Sequence, residues 1–215
     1  MKELSVGVLG LQGNVEEHIA ATKAAFEETG LKGNVMWVKT PRQVQVLDGL
    51  IIPGGESTVI GRLSSFNQTL QSVKERILSG IPALGTCAGL VMLAKKVYDR
   101  VVGETNQPIL GVMDIVVERN SFGRQRESFE VDLDIPVLGE EKFRGVFIRA
   151  PSIREAGPNV KVLSKLNDVI TAVKQDNLLG TAFHPELADD LRIHRYFLEL
   201  VGRHSQISKA IRNPR

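Results

Sequence analysis

A three-layer α/β sandwich, with a mainly parallel central sheet and antiparallel additions, is predicted for this chain of 215 residues. Three observations predict it. Up to about residue 100, short apolar runs alternate with segments of helical periodicity, the mark of βαβ units. Three of those runs, LSVGVLGL, GLIIP and IPALG, pass directly into glycine-bearing turns. Beyond about residue 110, strand-like segments follow one another, broken by Gly, Pro or Asn-Asp, which suits antiparallel strands added to the sheet.

The elements follow in order. LSVGVLGL (4–11) reads as the first strand and turns at Gln-Gly-Asn. Asn14 is placed to cap the next helix, with Glu16 and Glu17 in its first turn, where negative charge suits the helix dipole. Ile19, Ala20, Lys23, Ala24 and Phe26 continue at helical spacing, and Gly30 supplies the stop. NVMWVKT (34–40) and GLIIPGG (49–55) are the second and third strands. Residues 67–80 form an amphipathic helix with Leu70, Val73, Ile77 and Leu78 on one side. The strand IPALGTC (81–87) and an apolar helix over 88–97 come next. Right-handed crossovers put helices on both faces.

In the second half, residues 111–122, 127–137, 143–151 and 160–183 are strand candidates. A last amphipathic helix, 187–204, carries Leu191, Ile193, Phe197, Leu198 and Val201. No boundary is strong enough for a second domain. The prediction is a single domain over 1–204 and a flexible, polar and basic tail over 205–215.

Bulk composition narrows the function classes. Hydrophobic residues make up 42% and charged residues 24%, ordinary for a globular protein that buries a large core. With 27 basic and 25 acidic residues the formal charge is +2, too small to argue for nucleic acid or an anionic membrane as a partner. No apolar stretch approaches the roughly 20 residues that span a bilayer. The opening MKELSVGVLGLQGN, interrupted by Glu3 and early glycines, reads as a strand and not as a signal peptide. A single cysteine, Cys87, excludes an internal disulfide and a cysteine-based metal site, and points to a reducing, cytoplasmic setting.

That cysteine lies in Gly85-Thr86-Cys87-Ala88-Gly89, between a strand and a helix. The pattern G-x-C-x-G is the cysteine form of a nucleophile elbow, in which a strained turn lifts the nucleophile clear of the sheet and small neighbours make room. Ala88 N–H then points toward an incoming oxyanion, and the helix terminus favours thiolate. A buried core cysteine is the alternative. A thiol needs a base to be nucleophilic at neutral pH. Of the four histidines, His18 and His194 fall in charge-rich helices and read as surface residues, and His204 lies near the chain's end. His184 differs: it follows the apolar LLGTAF and precedes Pro185-Glu186. Residues i and i+2 of an extended segment share a side, so Glu186 can fix the imidazole of His184. Cys87, His184 and Glu186 thus form a candidate triad.

Pro53-Gly54-Gly55-Glu56-Ser57-Thr58, again directly after a strand, reads either as a turn capping the next helix or as a second oxyanion donor flanked by substrate-binding groups. Gly10-Leu11-Gln12-Gly13 lacks the full dinucleotide fingerprint.

The elbow cysteine, the downstream His-x-Glu and the Gly-Gly loop together resemble the class I glutamine amidotransferase family. More narrowly, VGVLGLQGN, LIIPGGEST, GTCAGL, VVERNSFGRQ, GVFIRAPSI and FHPEL resemble the glutaminase-subunit family of pyridoxal 5′-phosphate synthases, over about residues 4 to 200. The resemblance implies that Cys87 is the nucleophile, His184 the base and Glu186 its orienter. It implies that Gly55, Glu56, Ser57, Arg119, Ile148 and Arg149 contact L-glutamine. It implies an oxyanion hole built from Gly54, Gly55 and Ala88, completed by the Gln12 loop when a (β/α)8-barrel synthase subunit docks in a large hetero-oligomer. It implies no metal and no bound cofactor, pyridoxal phosphate included. Two alternatives stand beside it: the glutaminase subunit of another amidotransferase, such as imidazole glycerol phosphate synthase, and a DJ-1-like reactive-cysteine protein. ERNSFGRQ argues against the first and the His184-Pro185-Glu186 string against the second.

Overall fold

The computed structural model describes residues 3–119, 121 and 128–212. In chain order the first half holds β1 (Leu4–Leu9), α1 (Val15–Thr29), β2 (Gly33–Val38), the one-turn α2 (Pro41–Val44), β3 (Gly49–Ile52), α3 (Ser57–Phe66), α4 (Thr69–Leu78), β4 (Ala83–Thr86) and α5 (Ala88–Leu93). The second half holds β5 (Ala94–Asp99), β6 (Gly103–Glu104), β7 (Met113–Arg119), β8 (Ser128–Leu133), β9 (Phe143–Ile148), β10 (Ser152–Ala156), β11 (Lys161–Leu166), β12 (Val169–Gln175), β13 (Leu178–Thr181) and α6 (Arg192–Arg212).

The main sheet runs β2-β1-β3-β4-β13-β12-β10-β7-β5-β6, with β11 paired to β12. From β2 to β13 neighbouring strands are parallel. Beyond β13 the pairs β12–β13, β10–β12, β7–β10 and β5–β6 are antiparallel, and β5–β7 is parallel. The expected mainly parallel sheet with antiparallel additions is what forms. Val6, Val8, Leu50, Ile51, Ile52, Leu84 and Leu179 are wholly buried, because helices cover both faces of the parallel strands. That is why their sequences are apolar runs without alternation. Each such side chain contributes ~1.5–3 kcal/mol, and Leu84→Ala costs about 2–5 kcal/mol. Among the described residues no helix is long and apolar enough to cross a membrane.

Gly30 ends α1 in the left-handed region, as the sequence predicts. The buried face of α1, however, is Val15, His18, Thr22, Ala25 and Phe26, while Ala20 and Lys23 face solvent. Asn14 precedes the helix but makes no side-chain cap. The helix expected over 88–97 stops at Leu93: from Ala94 the backbone pairs with β7, and ladder bonds outweigh helical continuation. Leu78, expected on the apolar side of α4, is exposed.

The segments around 127–137 and 143–151 do not join the main sheet. They form a separate two-stranded ladder, β8–β9, held by Phe129 stacked on Phe147 at 4.8 Å and by Phe143 and Phe147 packed on Phe183. This ladder bridges onto the chain at His184, whose N–H donates to Val146 O at 2.8 Å. The strand β10 is not anticipated as a separate element. The last helix begins at Arg192 and runs to Arg212, through most of the segment expected to be a tail. Asn120, residues 122–127 and residues 213–215 lie outside the described residues, so the ends of two expected strands, part of the ERNSFGRQ string and the last three tail residues are not placed.

Candidate active site

Loops at the carboxyl ends of β1, β3, β4 and β13 converge on one pocket, where an open α/β sheet presents its ligand site. Cys87 stands at the tip of the β4–α5 turn with φ 48° and ψ −102°, a conformation costly for any residue with a Cβ. Its N–H bonds to Thr181 O at 2.8 Å, and its carbonyl accepts Val91 N–H, so strand and helix hold the turn from both sides. The flanking glycines are required by close approach. A Cβ on Gly85 would lie 2.6 Å from Gly89 O, and one on Gly89 would run into the Ile52 carbonyl. The Cys87 thiol lies 3.9 Å from Ile148 O.

His184 and Glu186 are both buried beside it. The 3₁₀ turn Pro185–Leu187 follows His184 directly and returns the carboxylate to the ring, with His184 Nδ1 2.7 Å from Glu186 Oε1. Asn14 Nδ2 donates to the same oxygen at 3.1 Å. Burial alone would lower the His184 pKa, but Cys87 and Glu186 outweigh it and push it up to about 10. Burial would raise Glu186, yet His18 and His184 hold it down to about 2. The pair is therefore imidazolium and carboxylate at neutral pH.

A pocket of about 150 Å³, of amino-acid size, opens above these groups. Gly55, Glu56, Ser57, Ala88, Arg119, Ile148 and Arg149, all expected at the site, line it together with Cys87 and His184. Arg119 is tied on two sides: Nη2 donates to Glu56 Oε1 at 2.8 Å, and Nη1 to Thr58 Oγ1 and Gln107 Oε1 at 3.0 and 2.9 Å. Arg149 has φ 43°, a second strained residue on the rim.

Gly54 and Gln12 stand behind this wall. A side chain at Gly54 would collide with the His184 ring. Gln12 Oε1 accepts Glu56 N–H at 2.8 Å, and Gly54 O accepts Asn14 N–H at 3.2 Å, so the β1–α1 turn braces the Gly-Gly loop.

Five residues at or beside the site escape the sequence reading. Asn14 serves the Glu186 carboxylate instead of the helix, and Gln107 bonds Ser57 and Arg119 from a loop without a motif. His18 and His194, read as surface residues, are wholly buried, as is Thr86. The 3–4 spacing of Val15, His18, Thr22, Ala25 and Phe26 is the signal that would have put His18 on the inner face of α1. Among the described residues no group of three His, Cys, Asp or Glu side chains is arranged to hold a metal ion.

Residues 8–203 match the SNO glutamine amidotransferase family. The pyridoxal 5′-phosphate synthase subunit PdxT of Nitrosopumilus maritimus is 48% identical over 201 residues, covering 94% of this chain and 98% of that protein. The subunit of the same name from Staphylothermus marinus is 50% identical over 202 residues, covering 92% and 98%. A crystal structure of a glutamine amidotransferase superposes with a TM-score of 0.80 at 46% identity, over 92% of this chain and 98% of that one. A Thermotoga maritima glutamine amidotransferase, 14% identical with a TM-score of 0.57, shares the fold. An elbow cysteine, a buried His–Glu pair and near-complete coverage at such identity agree: the chain belongs to the SNO glutamine amidotransferase family.

Proposed function

We infer that this chain hydrolyses L-glutamine to L-glutamate and ammonia, and passes the ammonia to a (β/α)8-barrel subunit of pyridoxal 5′-phosphate synthase within a hetero-oligomer. One observation carries the reading: a nucleophile-elbow cysteine and the histidine of a buried His–Glu pair line an amino-acid-sized pocket whose wall holds the Arg119–Glu56 pair. The names of the relatives supply the synthase.

Arg119 and Glu56 present opposite charges side by side, which complements the zwitterionic end of a free amino acid. The guanidinium takes the α-carboxylate and Glu56 the α-ammonium. Gly55, Ser57, Ile148 and Arg149 enclose the substrate, and its side-chain amide then extends to Cys87.

Cys87 Sγ, its proton held by His184, attacks the amide carbon, and the carbonyl π pair moves onto oxygen. Gly55 and Ala88 N–H groups receive that charge, while Gly54 and Gln12 hold the loop that presents them. Collapse expels the nitrogen, which takes a proton from His184 and leaves as ammonia. Glu186 keeps the His184 ring oriented through Nδ1, so that the opposite nitrogen carries the proton. Water deprotonated by His184 then attacks the thioester, releasing glutamate and restoring the thiol. No metal or cofactor enters this sequence.

Ammonia in neutral water is mostly ammonium and no longer nucleophilic, so a sheltered transfer to the synthase subunit makes chemical sense. A cytoplasmic setting belongs to the same reading, supported by the free thiol of Cys87. Glutamate and ammonia release, measured with and without a pyridoxal 5′-phosphate synthase barrel subunit, tests it. Glutamate formation that depends on Cys87 is expected. Absence of glutamate release in both conditions would sink the reading.

A further inference from the structure

The mechanism above uses one oxygen of Glu186 and leaves the other. Glu186 Oε2 is buried and has no well-aligned hydrogen bond among the described residues. The donor facing it is His18 Nε2, 3.2 Å away, on the inner side of α1. The same nitrogen lies 3.0 Å from Thr86 Oγ1, the residue immediately before the nucleophile. Behind His18, its Nδ1 meets His194 Nε2 of α6 at 3.2 Å. Both imidazoles are wholly buried.

We propose that His18 is a positioning residue for glutamine hydrolysis: its Nε2–H donates to the Thr86 hydroxyl and lies electrostatically against the second carboxylate oxygen of Glu186, and His194 fixes its tautomer from behind. This rests on the reading of Cys87, His184 and Glu186 as the triad.

The direction of the hydrogens follows from satisfaction of buried groups. His194 Nδ1 has no partner among the described residues. A bare buried N–H costs more than a bare ring lone pair, so His194 carries its hydrogen on Nε2 and donates it to His18 Nδ1. His18 must then be protonated on Nε2, the nitrogen between Thr86 and Glu186. That N–H is aligned with Thr86 Oγ1 at 3.0 Å, and Glu186 Oε2 lies 3.2 Å from the same nitrogen, off its axis. Burial, and for His194 also the neighbouring His18, lowers both pKa values, which keeps the pair neutral. The row therefore runs from His194 through His18 and ends in an N–H aligned with Thr86 and beside the Glu186 carboxylate. Asn14 and His184 bond Oε1 of the carboxylate, and the His18 N–H edge faces Oε2 at 3.2 Å. These contacts span α1, α6 and the end of β4. A shift of the carboxylate would rotate the His184 ring away from Cys87.

Removing the donor is expected to lower kcat for glutamine by about ten- to a hundredfold, the size seen when outer partners of functional imidazoles are removed, with KM unchanged. His18→Leu tests this on the full chain with its synthase partner present. Alkylation of Cys87 by iodoacetamide at neutral pH is expected to slow in parallel. His18→Gln, whose amide can put N–H near the position of Nε2, should recover most of both. A space-filling role would leave kcat per folded molecule and the alkylation rate at their wild-type values in His18→Leu, and that result overturns the proposal.

Nitrogen NMR of the unsubstituted chain gives a second test that needs no variant. Expected is a neutral His18 with hydrogen on Nε2; hydrogen on Nδ1 overturns the proposal. Cys87→Ala serves as the separate control. Wild-type turnover in it would defeat the triad reading itself, whereas an inactive Cys87→Ala beside a fully active His18→Leu defeats only the role of His18.

Discussion

His184 Nδ1 and Glu186 Oε1 lie 2.7 Å apart, buried, and only two residues apart in the chain. The 3₁₀ turn that begins at Pro185 makes that closeness possible, since an extended chain would carry the carboxylate further on. Glu186→Gln keeps the shape and removes the charge that stabilises imidazolium. Glutamine turnover is expected to fall by about 10²–10⁴, the upper figure being the loss for the matching change in a serine protease. The loss should stay below that of Cys87→Ala, because oxyanion donors and substrate contacts remain. Steady-state kinetics decide it, and unchanged kcat would reduce Glu186 to a bystander.

Stability should peak near neutral pH, and the two sides of the peak have different owners. His184 has its pKa raised to about 10. Its contribution is complete below the unfolded value of about 6.5 and is lost as pH rises toward 10. His194, lowered to about 3 by burial and by His18, behaves oppositely. The unfolded chain binds a proton there below about 6.5 that the folded chain refuses, so stability falls as pH drops. Glu186 stays ionised in both states above the ordinary carboxylate value of 4.5, which keeps it out of this window. Calorimetry from about pH 5 to about pH 9.5 should find the acid slope of Tm flattened in His194→Gln and the alkaline slope flattened in Glu186→Gln. An acid slope identical in His194→Gln and the parent would assign it elsewhere.

Cys87, the proposed nucleophile, is strained by its backbone. With φ 48° and ψ −102° it sits where only glycine is comfortable. Cys87→Ala keeps the strain and loses the sulfur; Cys87→Gly loses both. Neither variant should hydrolyse glutamine, and ammonium salts should still feed the synthase in the complex. The glycine variant should melt above the alanine variant, since about 1–3 kcal/mol of relieved strain exceeds the ~0.5–1 kcal/mol entropic cost of glycine. If the alanine variant melts higher, the strain argument is wrong.

The parallel half of the sheet is legible in the sequence because double-faced burial leaves unbroken apolar runs, as in Gly49–Ile52 and Ala83–Thr86. The second half is less so. Phe129, Phe143 and Phe147 read as strand residues of the main sheet, and only packing against Phe183 reveals a separate ladder. The triad residues announce themselves through local motifs, Gly-x-Cys-x-Gly and His-Pro-Glu. Asn14, His18, Gln107 and His194 do not: Asn14 meets Glu186 across 172 positions, His18 meets His194 across 176, and Gln107, on a loop without a motif, meets Ser57 across 50 and Arg119 across 12. Charged neighbours in α1 mask His18, although the helix buries it.

Arg119 should govern substrate affinity more than chemistry. Its guanidinium is shared among Glu56, Thr58 and Gln107, so the fork arrives at the pocket already oriented. Lysine offers a point charge without the fork. Arg119→Lys is expected to raise KM for glutamine by roughly ten- to a hundredfold, the equivalent of one hydrogen bond to a charged group, with kcat at saturation within a few-fold. A drop in kcat at constant KM would instead put Arg119 at the reacting atoms.

The last prediction concerns the Gly54-Gly55 loop, proposed to supply an oxyanion donor. Glu56 N–H is held by Gln12 Oε1 at 2.8 Å, and Gly54 O by Asn14 N–H at 3.2 Å. In a trans peptide the Gly55 N–H lies opposite that carbonyl. Two glycines in succession make rotation of this peptide inexpensive, and a carbonyl turned into the pocket would repel the developing oxyanion. A partner that docks against the β1–α1 turn, and so stabilises the Asn14 and Gln12 bonds, shifts the loop toward the competent orientation by its differential contacts. The isolated chain should hydrolyse glutamine feebly, and the synthase subunit should raise turnover by about 10²–10³, the worth of one oxyanion donor. Gln12→Ala leaves Glu56 N–H without its acceptor and removes the bias. Activation should then shrink more than KM rises when the synthase subunit is titrated in at saturating glutamine. Full activity of the isolated chain, unaffected by the partner and by Gln12→Ala, would falsify this control while leaving the triad in place.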